Sequence, residues 1–194
     1  MRGEAAGGMT ALQAPPSARA EVDPRVIELL LRLGTRFEVI DGLVVVMPYA
    51  REAHERLVMR IGGLLEAQAP SGTNVYGSNY NYYYAAPEPD FVNADVLVTP
   101  ASAADEDGTR VPPLLVVEVS SPSTRRHDGT TKRDIYQRAG VPSCWLVDPD
   151  EPSVQVLELD ARGRYAEVAR AAGRDLLRLE RPFPLELRLL RQSG

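Results

Sequence analysis

The chain has 194 residues, of which 44% are hydrophobic and 25% charged, proportions that exclude a collagen-like or low-complexity protein and indicate a globular one. Its formal net charge of −5 creates no global positive field, so any contact with nucleic acid has to come from a local patch. The single cysteine, Cys144, excludes an internal disulfide and a zinc site built from several thiolates, and it favours a reducing cytoplasm as the location.

We expect residues 1–21 to form a flexible tail and residues 22–194 to form one domain. The tail is rich in glycine, alanine and proline and lacks the continuous apolar segment of a secretory signal, and Met9 is a second candidate for the first residue of the protein. No later run reaches the roughly 18 apolar residues that a membrane helix needs, so no membrane partner is expected.

The first predicted elements are a helix, a hairpin and a longer helix. Asp23 and Pro24 are typical first residues of a helix, which is expected to end before Gly34. The dipeptide Asp41-Gly42 predicts a tight turn between two short strands. From Arg51 to Gln68 apolar side chains recur about every 3.6 residues, which predicts the longest helix of the chain, with one face packed inward.

The middle of the chain predicts the centre of a sheet. The runs ADVLVTP (94–100) and PLLVVEVSSP (113–122) are almost continuously apolar, which is typical of strands covered on both faces. An acidic loop is expected between them, and a helix closed by Gly140 is expected after them. The rest of the chain predicts a buried strand and then a meander of outer strands. The fold class is therefore α/β, with a mixed sheet, the long helix on one face and the later helix on the other.

Two acidic residues stand near the ends of the central strands. Asp95 leads into one strand and Glu118 lies close to the end of the other. Acidic residues at strand ends commonly face solvent or cap a turn, and for a lone aspartate this is the better interpretation. Glu118, however, follows four consecutive apolar residues, and an unpaired buried carboxylate is costly. Its partner can be a divalent metal, a lysine ammonium or several backbone donors.

Lys132 is the only lysine among the 22 basic residues of the chain. Its flexible stem can bring a compact positive charge over the two carboxylates, which the planar fork of an arginine would do differently. In a chain whose other basic residues are all arginines, the position of the single lysine can also be due to chance. This observation alone therefore favours a functional role only slightly.

Several segments together resemble the Uma-two family of bacterial restriction endonucleases, a branch of the PD-(D/E)XK nuclease superfamily. They are FEVIDGLVVVMP, HERLVMRI, ADVLV and LLVVEVSSPSTRRHDGTTKRDIYQRAGVPSCWLVDP. The resemblance runs from about Phe37 to Pro149. It implies a restriction-endonuclease-like fold: a mixed sheet core flanked by helices, with an additional N-terminal β-hairpin and C-terminal β-meander.

The resemblance also implies a site and a cofactor. Asp95, Glu118 and the backbone carbonyl of Val119 would bind Mg²⁺, or Mn²⁺ in its place. Ser120 stands where the superfamily usually carries its catalytic lysine. In the Uma-two family this lysine lies on the following helix instead, and Lys132 matches that position. The catalytic residues implied are Asp95, Glu118 and Lys132. Residues that match further positions and are expected to flank the site are Glu38, His54, Ser120, Asp128 and Tyr136.

One position departs from the family pattern. Ala94 precedes Asp95 where the family usually has proline, and the literal Pro-Asp pair occurs instead at Pro89-Asp90. We prefer Asp95 as the ligand because it leads directly into a central strand, whereas Asp90 follows a proline-rich segment and is expected to be a loop residue.

The function expected from these residues is metal-dependent hydrolysis of phosphodiester bonds in nucleic acid, with DNA as the preferred partner. A homodimer is expected because two sites related by a twofold axis can cut both strands of a duplex. Two alternatives stay open: a catalytically silent binding or assembly module that keeps the nuclease fold, and a hydrolase of small phosphate esters. The tyrosines at 80, 82 and 84 can stack on bases, but the same alternation describes one face of an ordinary strand, which we prefer.

Overall fold

The computed structural model describes residues 22–47, 51–85, 90–119 and 128–189. Within these ranges the helices are α1 (Pro24–Arg32), α2 (Glu52–Glu66) and α3 (Asp128–Arg138). The strands are β1 (Phe37–Ile40), β2 (Leu43–Val46), β3 (Thr73–Gly77), β4 (Asn81–Tyr83), β5 (Phe91–Val92), β6 (Val96–Pro100), β7 (Gly108–Thr109), β8 (Leu115–Val119), β9 (Ser143–Asp148), β10 (Ser153–Leu159), β11 (Tyr165–Ala172), β12 (Leu177–Leu179) and β13 (Leu185–Leu187). None of the described helices has both the length and the apolar character that crossing a bilayer requires.

The N-terminal elements form for the reasons that the sequence indicates. The carboxylate of Asp23 accepts the backbone N–H of Arg25 at 2.9 Å, and Pro24 occupies the first turn of α1. Between β1 and β2, Asp41 and Gly42 adopt φ angles of 50° and 78°, the left-handed conformation that a tight hairpin turn requires. The predicted helix and hairpin are both confirmed.

The largest sheet has six strands in the order β11-β10-β9-β8-β6-β3. It is mixed, because β8 and β9 run parallel while the other neighbours run antiparallel. As predicted, β6 and β8 lie inside the sheet. The predicted meander, β9 to β11, continues this same sheet.

The two faces of this sheet are covered by different helices. Leu115, Val117 and Val119 belong to the apolar cluster that contains the inner face of α2. Val116, on the opposite side of β8, packs in a second cluster with Ile135 of α3. Since successive side chains of a strand alternate, Glu118 points to the α3 side. The α/β class and the placement of the long helix and the later helix on opposite faces are confirmed.

A second sheet, with the order β2-β1-β5-β4-β7, holds the N-terminal hairpin. Its strands β4 and β5 come from the segment that contains the tyrosines at 80, 82 and 84. The side chains of Tyr80 and Tyr82 are buried, which confirms that these two tyrosines belong to the core. The acidic segment after β6 is more ordered than the predicted loop: it contains a short 3-10 helix, Ala101–Ala103, and the strand β7. Near the C-terminus β12 and β13 pair as a small third sheet.

Gly108 allows β7 to approach β4 closely, and we expect Gly108→Ala to lower the free energy of unfolding by about 1–3 kcal/mol. A Cβ atom built at this position lies 2.4 Å from the backbone oxygen of Asn81 and 2.9 Å from the ring of Tyr83. Neither the strand backbone nor the packed ring can move away freely. Urea denaturation measures the loss. Gly77→Ala is the control, because its Cβ meets nothing within 4 Å; equal effects of the two substitutions would contradict the packing argument.

Candidate active site

The antiparallel pairing of the two central strands places Asp95 and Glu118 side by side. Val96 of β6 is paired with Val117 of β8, and the next step of the ladder leads to the two acidic residues. The Oδ2 atom of Asp95 accepts the backbone N–H of Val119 at 2.8 Å. The carboxylate of Asp95 is therefore fastened to β8 beside Glu118.

Lys132 extends from α3 into this position and is surrounded by acceptors. Its Nζ atom lies 2.9 Å from Oε1 of Glu38 and 3.1 Å from both carboxylate oxygens of Glu118. It also donates to the backbone oxygen of Asn93 at 2.7 Å. A lysine ammonium has three N–H groups, and three residues accept them here. The ammonium, Glu38 and Glu118 are all buried.

Tyr136 reaches the same carboxylate from the next turn of α3. Residues 132 and 136 are four apart, so their side chains lie on one face of the helix. The Oη atom of Tyr136 donates a hydrogen bond of 2.6 Å to Oε1 of Glu118. One helix face therefore supplies both a charge and a hydroxyl to Glu118, and the two contacts fix the direction of its carboxylate.

His54, in the first turn of α2, contacts Asp95 from the other side of the sheet. Its Nε2 atom lies 3.2 Å from Oδ2 of Asp95. The hydrogen bond to Asp95 raises the pKa of His54 above its ordinary value, although partial burial acts in the opposite direction. The start of α2 therefore brings a basic group against Asp95.

The buried charges of the site do not balance. Glu38, Asp95 and Glu118 contribute three carboxyl groups, whereas Lys132 and the imidazole of His54 contribute at most two positive charges. Burial raises the pKa of Glu118 to about 7, although the nearby ammonium of Lys132 acts against this shift. Burial would lower the pKa of Lys132, but the carboxylates of Glu118 and Glu38 raise it above its ordinary value, so the ammonium stays protonated. The site thus favours a further positive charge.

The donor atoms fit a hard divalent ion. The described ranges contain no group of three or more His, Cys, Asp and Glu side chains arranged to hold a metal ion. Asp95, Glu118 and the backbone carbonyl of Val119 offer oxygen atoms only, and Mg²⁺ usually binds through one or two carboxylates while it keeps several waters. These residues therefore fit Mg²⁺ or Mn²⁺ with water and substrate oxygens in the remaining positions, and they do not fit a metal that prefers thiolates.

The other residues predicted around the site have different outcomes. Ser120 lies outside the described residues, and Asp128 begins α3. Asp90, expected in a loop, lies directly before β5 and is buried. Its Oδ1 atom accepts the backbone N–H of Gly42 at 3.0 Å, so this aspartate holds the hairpin turn.

Asn93 is the residue that the sequence reasoning missed. Its backbone N–H donates to Oε1 of Glu38 at 2.9 Å and its backbone oxygen accepts from Lys132 at 2.7 Å. Its side-chain Nδ2 atom donates to Oδ1 of Asn81 at 2.7 Å. Because the contacts to the charged residues come from the main chain, the residue type gives no signal of them; the only available hint is its position two residues before Asp95.

Comparison with known proteins identifies the family. A search of curated proteins finds no relative. One matching crystal structure is that of a putative nuclease belonging to DUF820 from Anabaena variabilis ATCC 29413. The two sequences are 19% identical, and the structures superpose with a TM-score of 0.55. The match covers 79% of this chain and 87% of the Anabaena chain. This likeness confirms the predicted nuclease-like fold. A family model described as Uma2, putative restriction endonuclease, matches residues 26–192. The chain therefore belongs to the Uma2 (Uma-two) family of putative restriction endonucleases.

Proposed function

We propose that this protein is a metal-dependent endonuclease that hydrolyses phosphodiester bonds in DNA, with Mg²⁺ as its ion and Mn²⁺ as a substitute. The observation that carries the proposal is the burial of the only lysine of the chain against Glu38 and Glu118, beside Asp95, where the two central strands meet. Membership of a family of putative restriction endonucleases supports the same class of activity.

Asp95, Glu118 and the backbone carbonyl of Val119 would hold the ion. When bound, Mg²⁺ would supply a water molecule of lowered pKa as the nucleophile and would stabilise negative charge on the leaving oxygen. The protein fixes its own ligands in advance: the N–H of Val119 and the imidazole of His54 hold Asp95, and Lys132 holds Glu118. Little rearrangement of these side chains is then needed when substrate arrives.

Lys132 would act as a permanent positive charge. Burial acts in the opposite direction, but the carboxylates of Glu118 and Glu38 raise its pKa and so favour the protonated ammonium. The charge stabilises the negative charge that develops on the phosphate oxygens in the transition state. Since its three N–H groups are already bonded, the ammonium either acts across Glu118 or exchanges one contact for a phosphate oxygen when substrate binds.

Three neighbours would position this machinery without touching the substrate. Glu38 and the backbone of Asn93 hold the ammonium of Lys132, and Tyr136 holds the carboxylate of Glu118. A buried network in which each member is bonded keeps a single geometry, because any alternative arrangement leaves a polar group unpaired.

A second candidate is a catalytically silent module that keeps the fold. The observation in its favour is that Glu118 and Lys132 satisfy each other inside the protein, so the same contacts also describe a structural ion-pair network. The net charge of −5 agrees with a partner other than nucleic acid. The two candidates differ in one property: only the nuclease has to bind a divalent ion.

We expect the full-length protein to nick supercoiled plasmid in Mg²⁺ or Mn²⁺ and to lose this activity in chelator. Glu118→Gln should abolish nicking, because it removes a charged ligand at nearly constant volume. Glu186→Gln, at the exposed residue of β13, should leave nicking unchanged. Agarose electrophoresis measures the conversion, with single-stranded DNA, RNA and a small aryl phosphate ester as further substrates. Hydrolysis of the ester alone would indicate the small-ester enzyme. No hydrolysis of any substrate, together with no heat of Mg²⁺ binding in calorimetry, would leave the silent module.

A further inference from the structure

Arg36 is a half-buried cation that has no carboxylate partner within the described ranges. There its guanidinium makes one hydrogen bond, from Nη2 to the backbone oxygen of Ser78 at 3.3 Å. Other arginines, such as Arg32 and Arg170, are paired with a carboxylate. A guanidinium carries five N–H donors in a planar fork, so a single bond to Ser78 leaves most of them available. Arg36 can therefore bind an anion that the described part of the chain does not supply.

The alternation of side chains along β1 turns Arg36 toward the candidate site. The backbone oxygen of Arg36 accepts the N–H of Met47, so residue 36 continues the ladder between β1 and β2 by one step. Glu38 contacts Lys132, whereas Val39 packs in the apolar cluster beside α1. Side chains two positions apart in a strand point to the same side and are separated by roughly 7 Å. Arg36 thus lies on the same side of β1 as Glu38, one such step further along.

Two neighbouring ladders place this end of β1 beside Asp95. Strand β5 runs antiparallel to β1, so the chain that leaves β5 at Asn93 runs toward the end of β1 that carries Arg36. It reaches Asp95 two residues later. In the large sheet β3 pairs with β6, and the next step of that ladder leads to Ser78 and Asp95. The hydrogen bond between Arg36 and Ser78 therefore joins the two sheets next to Asp95.

The charge of Arg36 also acts on the site. The hydrogen bond to Asp95 raises the pKa of His54, and the guanidinium of Arg36 acts in the opposite direction. The guanidinium is therefore close to the imidazole. Among the described residues, however, it makes no hydrogen bond to the network that holds Lys132 and Glu118. A cation in this position can attract an anion without disturbing the groups that hold the proposed metal ligands.

We propose that Arg36 binds a phosphate of the nucleic-acid backbone, next to the phosphate that is cleaved. The second part of this statement rests on the proposed nuclease function, which places the cleaved phosphate at Asp95 and Glu118. The planar fork of a guanidinium matches two oxygens of a phosphate group and donates two parallel hydrogen bonds to them. The bond to Ser78 restricts the guanidinium before substrate arrives, so less side-chain entropy is lost on binding.

This contact makes the site selective for a polymer. A small phosphate ester has one phosphate group, which would occupy the position of the cleaved phosphate and leave Arg36 without a ligand. A nucleic acid carries further phosphates on both sides of the cleaved one. The formal net charge of −5 opposes the approach of a polyanion as a whole, so a local cation beside the site has a large share in binding.

Fluorescence anisotropy of a labelled DNA duplex tests the proposal in chelator, where the proposed nuclease leaves the duplex intact. Each phosphate that a protein neutralises contributes about 0.9 to the slope of log binding constant against log salt concentration. Arg36→Gln should therefore make this slope shallower by about 0.9 and weaken binding about tenfold or more at low salt. Arg36→Lys should keep the wild-type slope, because it keeps the charge.

Arg162→Gln is the matched control for the loss of one positive charge. Arg162 is exposed in the turn between β10 and β11, and these strands lie at the edge of the six-stranded sheet opposite to β3. Its variant should bind the duplex with the wild-type affinity and slope. In the plasmid assay Arg36→Gln should raise KM about tenfold and leave kcat within a few-fold, because a neighbouring phosphate is bound equally in the ground state and the transition state.

An unchanged salt slope in a folded Arg36→Gln variant would overturn the proposal, and so would a wild type that does not bind the duplex. Equal losses of affinity in Arg36→Gln and Arg36→Lys, with the wild-type slope in both, would also overturn it, because the residue would then only join the two sheets. If Arg36→Gln fails to fold, Arg36→Met keeps the apolar stem and repeats the test.

The two proposals fail in different ways. Duplex binding with a slope that depends on Arg36, but without plasmid cleavage in Mg²⁺ or Mn²⁺, would support the phosphate contact and reject the nuclease. Plasmid cleavage in Mg²⁺ by a wild type whose salt slope is the same as that of Arg36→Gln would support the nuclease and reject the phosphate contact.

Discussion

Replacing Lys132 with methionine is expected to lower the free energy of unfolding by about 3–5 kcal/mol, the usual cost of leaving a buried charge without its partner. The methionine fills most of the volume of the lysine stem but supplies no charge to Glu38 and Glu118, which stay buried. Lys132→Arg should not restore the wild-type value, because the wider guanidinium cannot occupy the place of a compact ammonium among three acceptors. Urea denaturation in chelator measures both variants.

The loss of unfolding free energy in Lys132→Met should also depend on pH, and the pKa of Glu118 determines whether the loss grows or shrinks as the pH rises. Its pKa in the folded protein is about 7, compared with an ordinary value of 4.5. A carboxyl group with a raised pKa stabilises the fold while it is protonated, below pH 4.5, and this contribution is lost as the pH rises through 7. Without the ammonium the carboxylates depend even more on protonation. Lys132→Met should therefore be closer to the wild type at pH 5 than at pH 8.

Two further variants separate this ion-pair effect from a general effect of changing α3. Arg133→Met alters the neighbouring residue, whose side chain is 42% exposed, and we expect a change within about 0.5 kcal/mol. In the double variant Lys132→Met and Glu118→Gln, the destabilisation should be smaller than the sum of the two single effects, because each single change leaves the other group unpaired. Additive effects would show that the two residues are not coupled and would contradict the structural account.

The second large effect concerns the choice between two aspartates. Asp95→Asn should reduce the single-turnover rate of plasmid cleavage by about 10³-fold or more, because it removes one of two charged ligands at the proposed metal site. Asp90→Ala, at the literal Pro-Asp pair, should leave the rate within a few-fold. It should instead lower the free energy of unfolding by about 1–3 kcal/mol, since it deprives the N–H of Gly42 of a buried acceptor.

The two aspartates control for each other because both are buried and both accept a backbone N–H. A cleavage rate that falls with Asp90→Ala and survives Asp95→Asn would reverse the assignment and place the metal near the hairpin. Loss of folding in Asp95→Asn would be visible by circular dichroism, and calorimetry of Mg²⁺ binding then gives a second measurement on any folded fraction.

Local signals were sufficient for most of the elements. The cap at Asp23, the turn at Asp41-Gly42 and the apolar runs of β6 and β8 each depend on neighbouring residues, so their interpretation did not require the fold. The short pairings of β5 with β1 and of β7 with β4 could not be predicted in this way. Each is only one or two residues long and depends on strands that are distant along the chain.

The same distinction between local and long-range information applies to the candidate site. The sequence by itself determined that Glu118 is buried and needs a partner, and that one lysine is available, because a continuous apolar strand and a residue count are local properties. Only the tertiary structure decided that Glu38 and the backbone of Asn93 share the ammonium of Lys132 with Glu118. These groups come from different elements, and the hydrogen bonds between them exist only when the second sheet and α3 pack against the ends of the central strands.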